Sequence, residues 1–151
     1  MGRPLAITGL GAISAAGRSA ESLSAALATG ADGLRLVTDP ALPLTASFPT
    51  GAVRDFHPPG SRNAALALVA AREALAAAGL SNLAGVGLAI GSCTGGMRES
   101  EACYLSRGSQ EPAPVFTHHL IGRIADQVAQ ELGTTGPLTT HAEACASAAC
   151  A

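Results

Sequence analysis

The sequence predicts an α/β domain whose sheet is at least partly parallel. Three observations support this: short apolar runs that stop at glycine, longer Ala- and Leu-rich stretches with helix caps, and the alternation of the two along the chain. Strands that alternate with helices form parallel or mixed sheets, because each helix carries the chain back across the sheet. No internal repeat or low-complexity linker divides the 151 residues, so we expect one domain or a piece of a larger one.

The first third of the chain predicts one strand, one helix and a loop. Residues 4–8 are a short apolar run ending at Gly9, which indicates a buried strand. Ser19 can cap a helix that continues to about Thr29, and Gly30 follows where a left-handed C-cap is expected. Residues 31–60 contain five prolines and no sustained periodicity, so they predict a loop.

The clearest element is a long helix in the middle of the chain. Ser61 caps it, an Ala- and Leu-rich stretch continues it to Ala78, and Gly79 ends it. Residues 86–90 then predict a buried strand, and residues 91–96 a glycine-rich turn.

The last third predicts two further helices, over residues 97–106 and about 117–132, the second ended by Gly133. Residues 138–142 indicate a short strand, and the small residues from Ala144 onward indicate a helix. No stop signal follows them, so we expect a domain over 1–151 that is cut within this helix.

Composition and charge exclude several function classes. The formal charge is −2 and no Lys/Arg run occurs, which argues against nucleic-acid binding. Polar residues interrupt the N-terminal apolar run, and no apolar stretch is long enough for a bilayer. We therefore expect a soluble, cytoplasmic protein with no nucleic-acid or membrane partner.

The cysteine pattern argues against both a disulfide framework and a structural metal. Without a secretion signal, four cysteines are expected to be free thiols. Their spacing contains no CxxC, which is unlike a structural zinc site. They are Cys93, Cys103, Cys145 and Cys150.

A glycine-rich turn near the N-terminus raises the question of a dinucleotide cofactor. Gly9 and Gly11 follow the predicted strand, but Ser14 stands where the third glycine of that fingerprint belongs. No acidic residue ends a second strand about twenty residues later. The pattern favours an ordinary tight turn, and we expect no cofactor site.

His141-Ala142-Glu143 fits the H-x-E element of zinc deaminases, in which the His binds metal and the Glu transfers protons. The P-C-x-x-C element that follows in those enzymes has no counterpart, because Cys145 and Cys150 have the wrong spacing. A zinc-dependent deaminase is therefore a minor alternative.

Cys145 is the main candidate for a reactive residue. It follows the predicted strand 138–142 and opens a helix of small residues, where backbone N–H groups favour a thiolate over a thiol. The same N–H groups can stabilise an oxyanion on an attached acyl group. By spacing alone, a buried structural cysteine fits equally well.

Five segments carry a recognisable pattern in order along the chain: residues 4–17, 30–33, 70–80, 87–96 and 136–147. The first contains I-T-G-L-G-A-I-S-A-A-G, the third A-R-E-A-L with A-G-L, and the last Gly136-Pro137 followed by A-C-A-S around Cys145. Together they resemble the N-terminal part of β-ketoacyl-ACP synthases, which have a thiolase-like fold.

This resemblance implies half of a thiolase-like fold, with a mostly parallel mixed sheet and helices on both faces. It also implies a function. The chain would belong to an acyltransferase of fatty-acid or polyketide biosynthesis, with no cofactor or metal of its own. Cys145 would be the nucleophile, and its backbone N–H would form half of the oxyanion hole. The partners would be acyl carrier protein, which carries substrates on phosphopantetheine, and a second copy or a ketosynthase partner in a dimer.

One departure from the family pattern keeps an alternative open. Glu143 replaces the usual Thr or Ser before Ala-Cys, and a carboxylate there disfavours the thiolate. The two histidines that assist decarboxylation in the family lie after the cysteine in chain order, beyond residue 151. The residues present are therefore not expected to complete a condensation by themselves, and a non-catalytic partner resembling a chain length factor remains the alternative.

Overall fold

The computed structural model describes residues 4–37, 47–105 and 120–151, except the side chains of residues 102 and 103. The described residues form both helices and short strands, which confirms the mixed α/β class. In chain order the elements are α1 (Ala20–Thr29), β1 (Arg35–Val37), β2 (Phe48–Thr50), α2 (Arg62–Ala77), β3 (Leu88–Gly91), α3 (Met97–Leu105), α4 (Ile121–Leu132), β4 (Leu138–His141), a 3-10 turn (Ala144–Ala146) and α5 (Ser147–Cys150).

The described chain divides into two compact units. The first contains the residues up to Phe56 together with Val69–Leu80. The second contains His57–Leu68 and the residues from Ser81 to the end.

Helix α1, in the first unit, has the boundaries that the sequence predicts. Ser19 is its N-cap, and its hydroxyl accepts a hydrogen bond from the Ser22 N–H at 3.1 Å. The Ser22 hydroxyl in turn accepts from the Ser19 N–H at 3.0 Å, which completes a capping box. Gly30 ends the helix in the left-handed region, with φ 71°.

Residues 9–20, which we call the Glu73 turn, lie directly against helix α2 in the first unit. A Cβ atom on Gly11 would lie 1.9 Å from the carbonyl oxygen of Ala70, so only glycine allows this approach. The two carboxylate oxygens of Glu73 accept hydrogen bonds from the Ala12 N–H at 2.8 Å and the Ala20 N–H at 2.9 Å. One carboxylate therefore fixes both the turn and the start of α1.

Two predictions in the first unit are wrong. Residues 4–8 form no strand with any described residue, and Leu5 and Ile7 are exposed. Conversely, the predicted loop 31–60 contains the antiparallel pair β1–β2, in which Leu36 lies opposite Pro49. A strand exists only where a second strand supplies hydrogen bonds, and that partner is not visible in a local pattern.

The second unit is built on a parallel pair of strands. Strand β3 pairs with β4 in the register Leu88↔Leu138 to Gly91↔His141, which confirms the parallel arrangement. Leu88 and Ile90 pack against the buried Ile124 and Val128 of α4 and Ala64 of α2. Because side chains alternate along a strand, Gly91 belongs to the opposite face, where it meets Ser147 of α5. Helices therefore cover both faces of this pair, as predicted.

The helix ends of the second unit follow local signals. The Ser61 hydroxyl accepts a hydrogen bond from the Ala64 N–H at 3.3 Å and caps α2. Gly133 ends α4 with φ 70°. Strand β3 begins two residues later than predicted, at Leu88, and the part of the predicted helix before Leu120 lies outside the described residues.

Few of the described apolar side chains are fully buried, while several large ones are open to solvent. No helix among the described residues is both long and apolar enough to span a bilayer.

Candidate active site

Cys145 lies where the chain changes from strand to helix. The chain leaves β4 at His141, forms the 3-10 turn that contains Cys145, and enters α5 at Ser147. The cysteine is exposed and free. It therefore lies neither within a strand nor in a sealed apolar interior, and an incoming group can reach its sulfur.

The backbone immediately before the cysteine is strained. Ala144 has φ 50°, and Asp55 is the other non-glycine residue with positive φ among the described residues. A left-handed alanine costs roughly 1–2 kcal/mol, because its Cβ atom approaches the following carbonyl oxygen. Such strain persists only where the surroundings hold it, and it is concentrated at functional sites. We call residues 142–147 the Cys145 turn.

Ser147 is the residue that holds the Cys145 turn. Its side chain is only 3% exposed. Its hydroxyl oxygen accepts a hydrogen bond from the Glu143 N–H at 2.9 Å and donates to the Ala144 carbonyl oxygen at 2.7 Å. The Ser92 carbonyl oxygen, at 3.4 Å, is a more distant second acceptor. One buried hydroxyl thus bonds to the two residues that precede the cysteine.

The Cys145 turn lies at the carboxyl end of the β3–β4 pair. The Ser92 N–H donates to the His141 carbonyl oxygen at 3.0 Å, which continues the strand pairing by one residue. A Cβ atom on Gly91 would lie 2.4 Å from the Ser147 carbonyl oxygen, so glycine allows the turn to sit against the strand. Ligands in α/β proteins commonly bind beyond the carboxyl ends of parallel strands.

The hydrogen bonds of the turn leave the Cys145 N–H without a backbone acceptor among the described residues. Within the turn, the Ala146 N–H donates to the Glu143 carbonyl oxygen at 3.0 Å, and the Ser147 N–H donates to that of Ala144. The Cys145 N–H donates to no backbone acceptor in the part of the chain that the structure describes. A thioester carbonyl carbon attacked by the sulfur would place its oxygen near this donor.

A groove of 320 Å³ opens beside the glycine-rich turn that follows β3. Cys145 does not line it, but Gly91 and Ser92 belong to both its wall and the support of the Cys145 turn. The residues that line it are Asn63, Leu66, Ala67, Ile90, Gly91, Ser92, Cys93, Thr94 and Ile124.

The deaminase alternative gains no support from the geometry. Across residues 4–37, 47–105 and 120–151, no three His, Cys, Asp or Glu side chains come close enough to hold a metal ion. Cys93 and Cys150 are, like Cys145, free and exposed, while the side chain of Cys103 lies outside the described residues.

Three features of the site were missed by the sequence reasoning: the buried hydroxyl of Ser147, the left-handed Ala144 and the close approach at Gly91. Ser147 is the last residue of the A-C-A-S segment, so the motif includes this residue but does not indicate its role. Nothing in the local sequence signals that an alanine should adopt φ 50°.

Comparison with known proteins agrees with this geometry. Comparison with curated proteins finds no match. Among solved structures, the ishigamide ketosynthase/chain length factor is similar, with a TM-score of 0.68 and 23% identity over 88% of this chain. The chain spans 38% of the length of that structure, and at this identity the likeness shows the fold alone.

The comparison with families is more specific. The model described as "Beta-ketoacyl synthase, N-terminal domain" matches residues 60–151, which is more than half of the chain. This match includes α2, the β3–β4 pair, the glycine-rich turn and the Cys145 turn. The thiolase-like α/β fold that the resemblance implied is thereby confirmed, and the chain belongs to the β-ketoacyl synthase N-terminal domain family.

Proposed function

We propose that this chain is the N-terminal part of a β-ketoacyl-ACP synthase, with Cys145 as the acyl-accepting nucleophile. The observation that carries the proposal is the exposed Cys145 thiol, on a strained turn at the carboxyl end of a parallel strand pair, in a chain of this family. The domain would extend over residues 1–59 as well as the matched segment.

The proposed reaction has two steps. First, the Cys145 thiolate attacks the carbonyl carbon of an acyl thioester on the phosphopantetheine of acyl carrier protein. The new C–S bond forms, the old one breaks, and the pantetheine sulfur leaves as a thiolate that takes up a proton. The Cys145 N–H supports this role: it has no backbone acceptor among the described residues, so it can stabilise the oxyanion of the tetrahedral intermediate.

In the second step, decarboxylation of malonyl-carrier protein supplies a carbanion. The carbanion attacks the acyl group on Cys145, so that a C–C bond forms and the cysteine leaves as a thiolate. The histidines expected to assist decarboxylation have no counterpart in this chain after Cys145.

The proposed partners are acyl carrier protein and either a second copy of the chain or a different ketosynthase subunit. Fatty-acid and polyketide synthesis both use this chemistry. A cytoplasmic location and the lack of a resident cofactor stay predictions.

A second function is favoured by a specific residue. Glu143 places a carboxylate two residues before Cys145, where the family usually has Thr or Ser. The similar solved structure is named as a ketosynthase/chain length factor, so a non-catalytic partner of a ketosynthase fits the same fold. Retention of Cys145 favours the catalytic role over this alternative.

Acylation of the chain by an acyl thioester, mapped by peptide mass spectrometry, tests the proposal. We expect the acyl group on Cys145, and we expect Cys145→Ala to abolish at least nine-tenths of the label. Cys93→Ala is the matched control, because it removes another exposed free thiol and should leave labelling unchanged. Wild-type protein that folds but takes no acyl group at Cys145 would favour the non-catalytic partner.

A further inference from the structure

We propose that Ser147 is a positioning residue that keeps Ala144 in its left-handed conformation and so presents the Cys145 thiol for reaction. This inference rests on the proposed function, since it assigns to Cys145 the role of nucleophile. It adds a residue that acts through the backbone.

The hydrogen bonds of Ser147 explain why the strain at Ala144 persists. The Ala144 carbonyl oxygen lies 2.7 Å from the hydroxyl oxygen of Ser147, and the Glu143 N–H lies 2.9 Å from the same atom. The Ala142–Glu143 and Ala144–Cys145 peptide groups are therefore joined through one atom. Together the two hydrogen bonds oppose the steric strain of a left-handed alanine.

The hydroxyl itself cannot move away, because its surroundings are closed. Ser147 is 3% exposed, and its backbone lies against Gly91, where no Cβ atom could fit. Strand β3 thus holds Ser147 in place, and Ser147 holds Ala144. The conformation of Ala144 in turn sets the direction in which the chain enters Cys145. Without the hydroxyl, Ala144 is expected to relax to negative φ and displace both the sulfur and the Cys145 N–H.

Alkylation by iodoacetamide, followed separately at each cysteine by peptide mass spectrometry, tests this. Cys93 and Cys150 are exposed free thiols in the same molecule and serve as internal references. We expect Ser147→Ala to lower the Cys145 rate at least fivefold relative to both references. A smaller fall would overturn the proposal.

A second substitution separates positioning from a general loss of packing. Glycine adopts positive φ without strain, so Ala144→Gly should restore the Cys145 rate of the Ser147→Ala variant to within twofold of wild type. A structural defect at position 147 would not be corrected by removing a methyl group at position 144. Failure of this rescue would therefore contradict the proposal.

Two controls keep the test decisive. Ser61→Ala removes the hydroxyl of a different buried serine, the one that caps α2. It should leave the Cys145 rate unchanged relative to the references.

If Ser147→Ala unfolds the protein, all three cysteines will react faster together, and the Ala144→Val variant then decides whether the proposal holds. Ala144 is exposed, and a β-branched residue there adds strain without opening a cavity. It should lower the Cys145 rate at least fivefold, and an unchanged rate would overturn the proposal.

The outcomes for this proposal and for the proposed function are distinct. A wild-type chain that takes no acyl group at Cys145 would refute the acyl transfer, while the alkylation rates would still report on Ser147. Acyl transfer to Cys145 with an unaffected Ser147→Ala variant would refute only the positioning role.

Discussion

The Glu73 turn and the Cys145 turn are each held against a neighbouring element, but by different chemical groups. Each lies against a neighbouring element at a glycine. Gly11 belongs to the Glu73 turn itself, whereas Gly91 belongs to β3, the strand against which the Cys145 turn lies. The Glu73 turn is held by a carboxylate that accepts two backbone N–H groups, whereas the Cys145 turn is held by one buried hydroxyl. The first contains no nucleophilic thiol, and the second presents one to solvent.

The difference shows how a reactive group can be supported without being buried. A charged anchor makes strong hydrogen bonds but would place a negative charge beside a thiolate. A neutral hydroxyl holds the backbone without adding a charge. The left-handed residue occurs in the turn with the thiol, as expected where strain accompanies function.

Alanine substitutions at Gly11 and Gly91 should have the largest effects. They should distinguish a loss of stability from a loss of Cys145 reactivity. Gly11→Ala and Gly91→Ala each force a Cβ atom into a backbone carbonyl, so each should lower the free energy of unfolding by about 1–3 kcal/mol. Only Gly91→Ala should also lower the alkylation rate of Cys145 relative to Cys93, by at least tenfold. Urea unfolding and peptide mass spectrometry measure the two effects. Equal reactivity in the two variants would show that the turns are not distinct in function.

Removing the charged anchor should affect stability alone. Glu73→Ala deletes both acceptors for the Ala12 and Ala20 N–H groups and should cost about 2 kcal/mol in the free energy of unfolding. Glu73→Gln keeps one oxygen acceptor and should cost about half as much. The Cys145 alkylation rate should stay within twofold of wild type in both, and a larger change would contradict the assignment of Glu73 to structure only.

The smallest expected effect concerns the carboxylate beside the thiol. Glu143 is exposed, so Glu143→Gln should raise the Cys145 alkylation rate about twofold by removing a screened negative charge. The gain should disappear near 1 M salt, where the screening length is about 3 Å. Glu21→Gln, which removes an exposed carboxylate from α1, is the matched control and should change nothing. A gain that persists at high salt would point to a steric cause instead.

Local signals predicted the helices well. Ser19 and Gly30 bound α1, Ser61 caps α2, and Gly133 ends α4, because caps satisfy the terminal backbone groups within a few residues of sequence. Strands were predicted less well. Residues 4–8 are apolar but form no strand among the described residues. The β1–β2 pair joins two three-residue segments without apolar alternation, and β2 contains Pro49.

The sequence by itself determined the mixed α/β class, the family resemblance and the identity of Cys145 as the candidate nucleophile. Only the tertiary structure decided how that cysteine is held: Gly91 and Ser92 approach Ser147 from more than fifty residues away along the chain. Caps and apolar periodicity are local, so a sequence shows them directly. The conformation of Ala144 depends on a hydroxyl buried against a distant strand, and long-range packing of that kind leaves no local pattern to read.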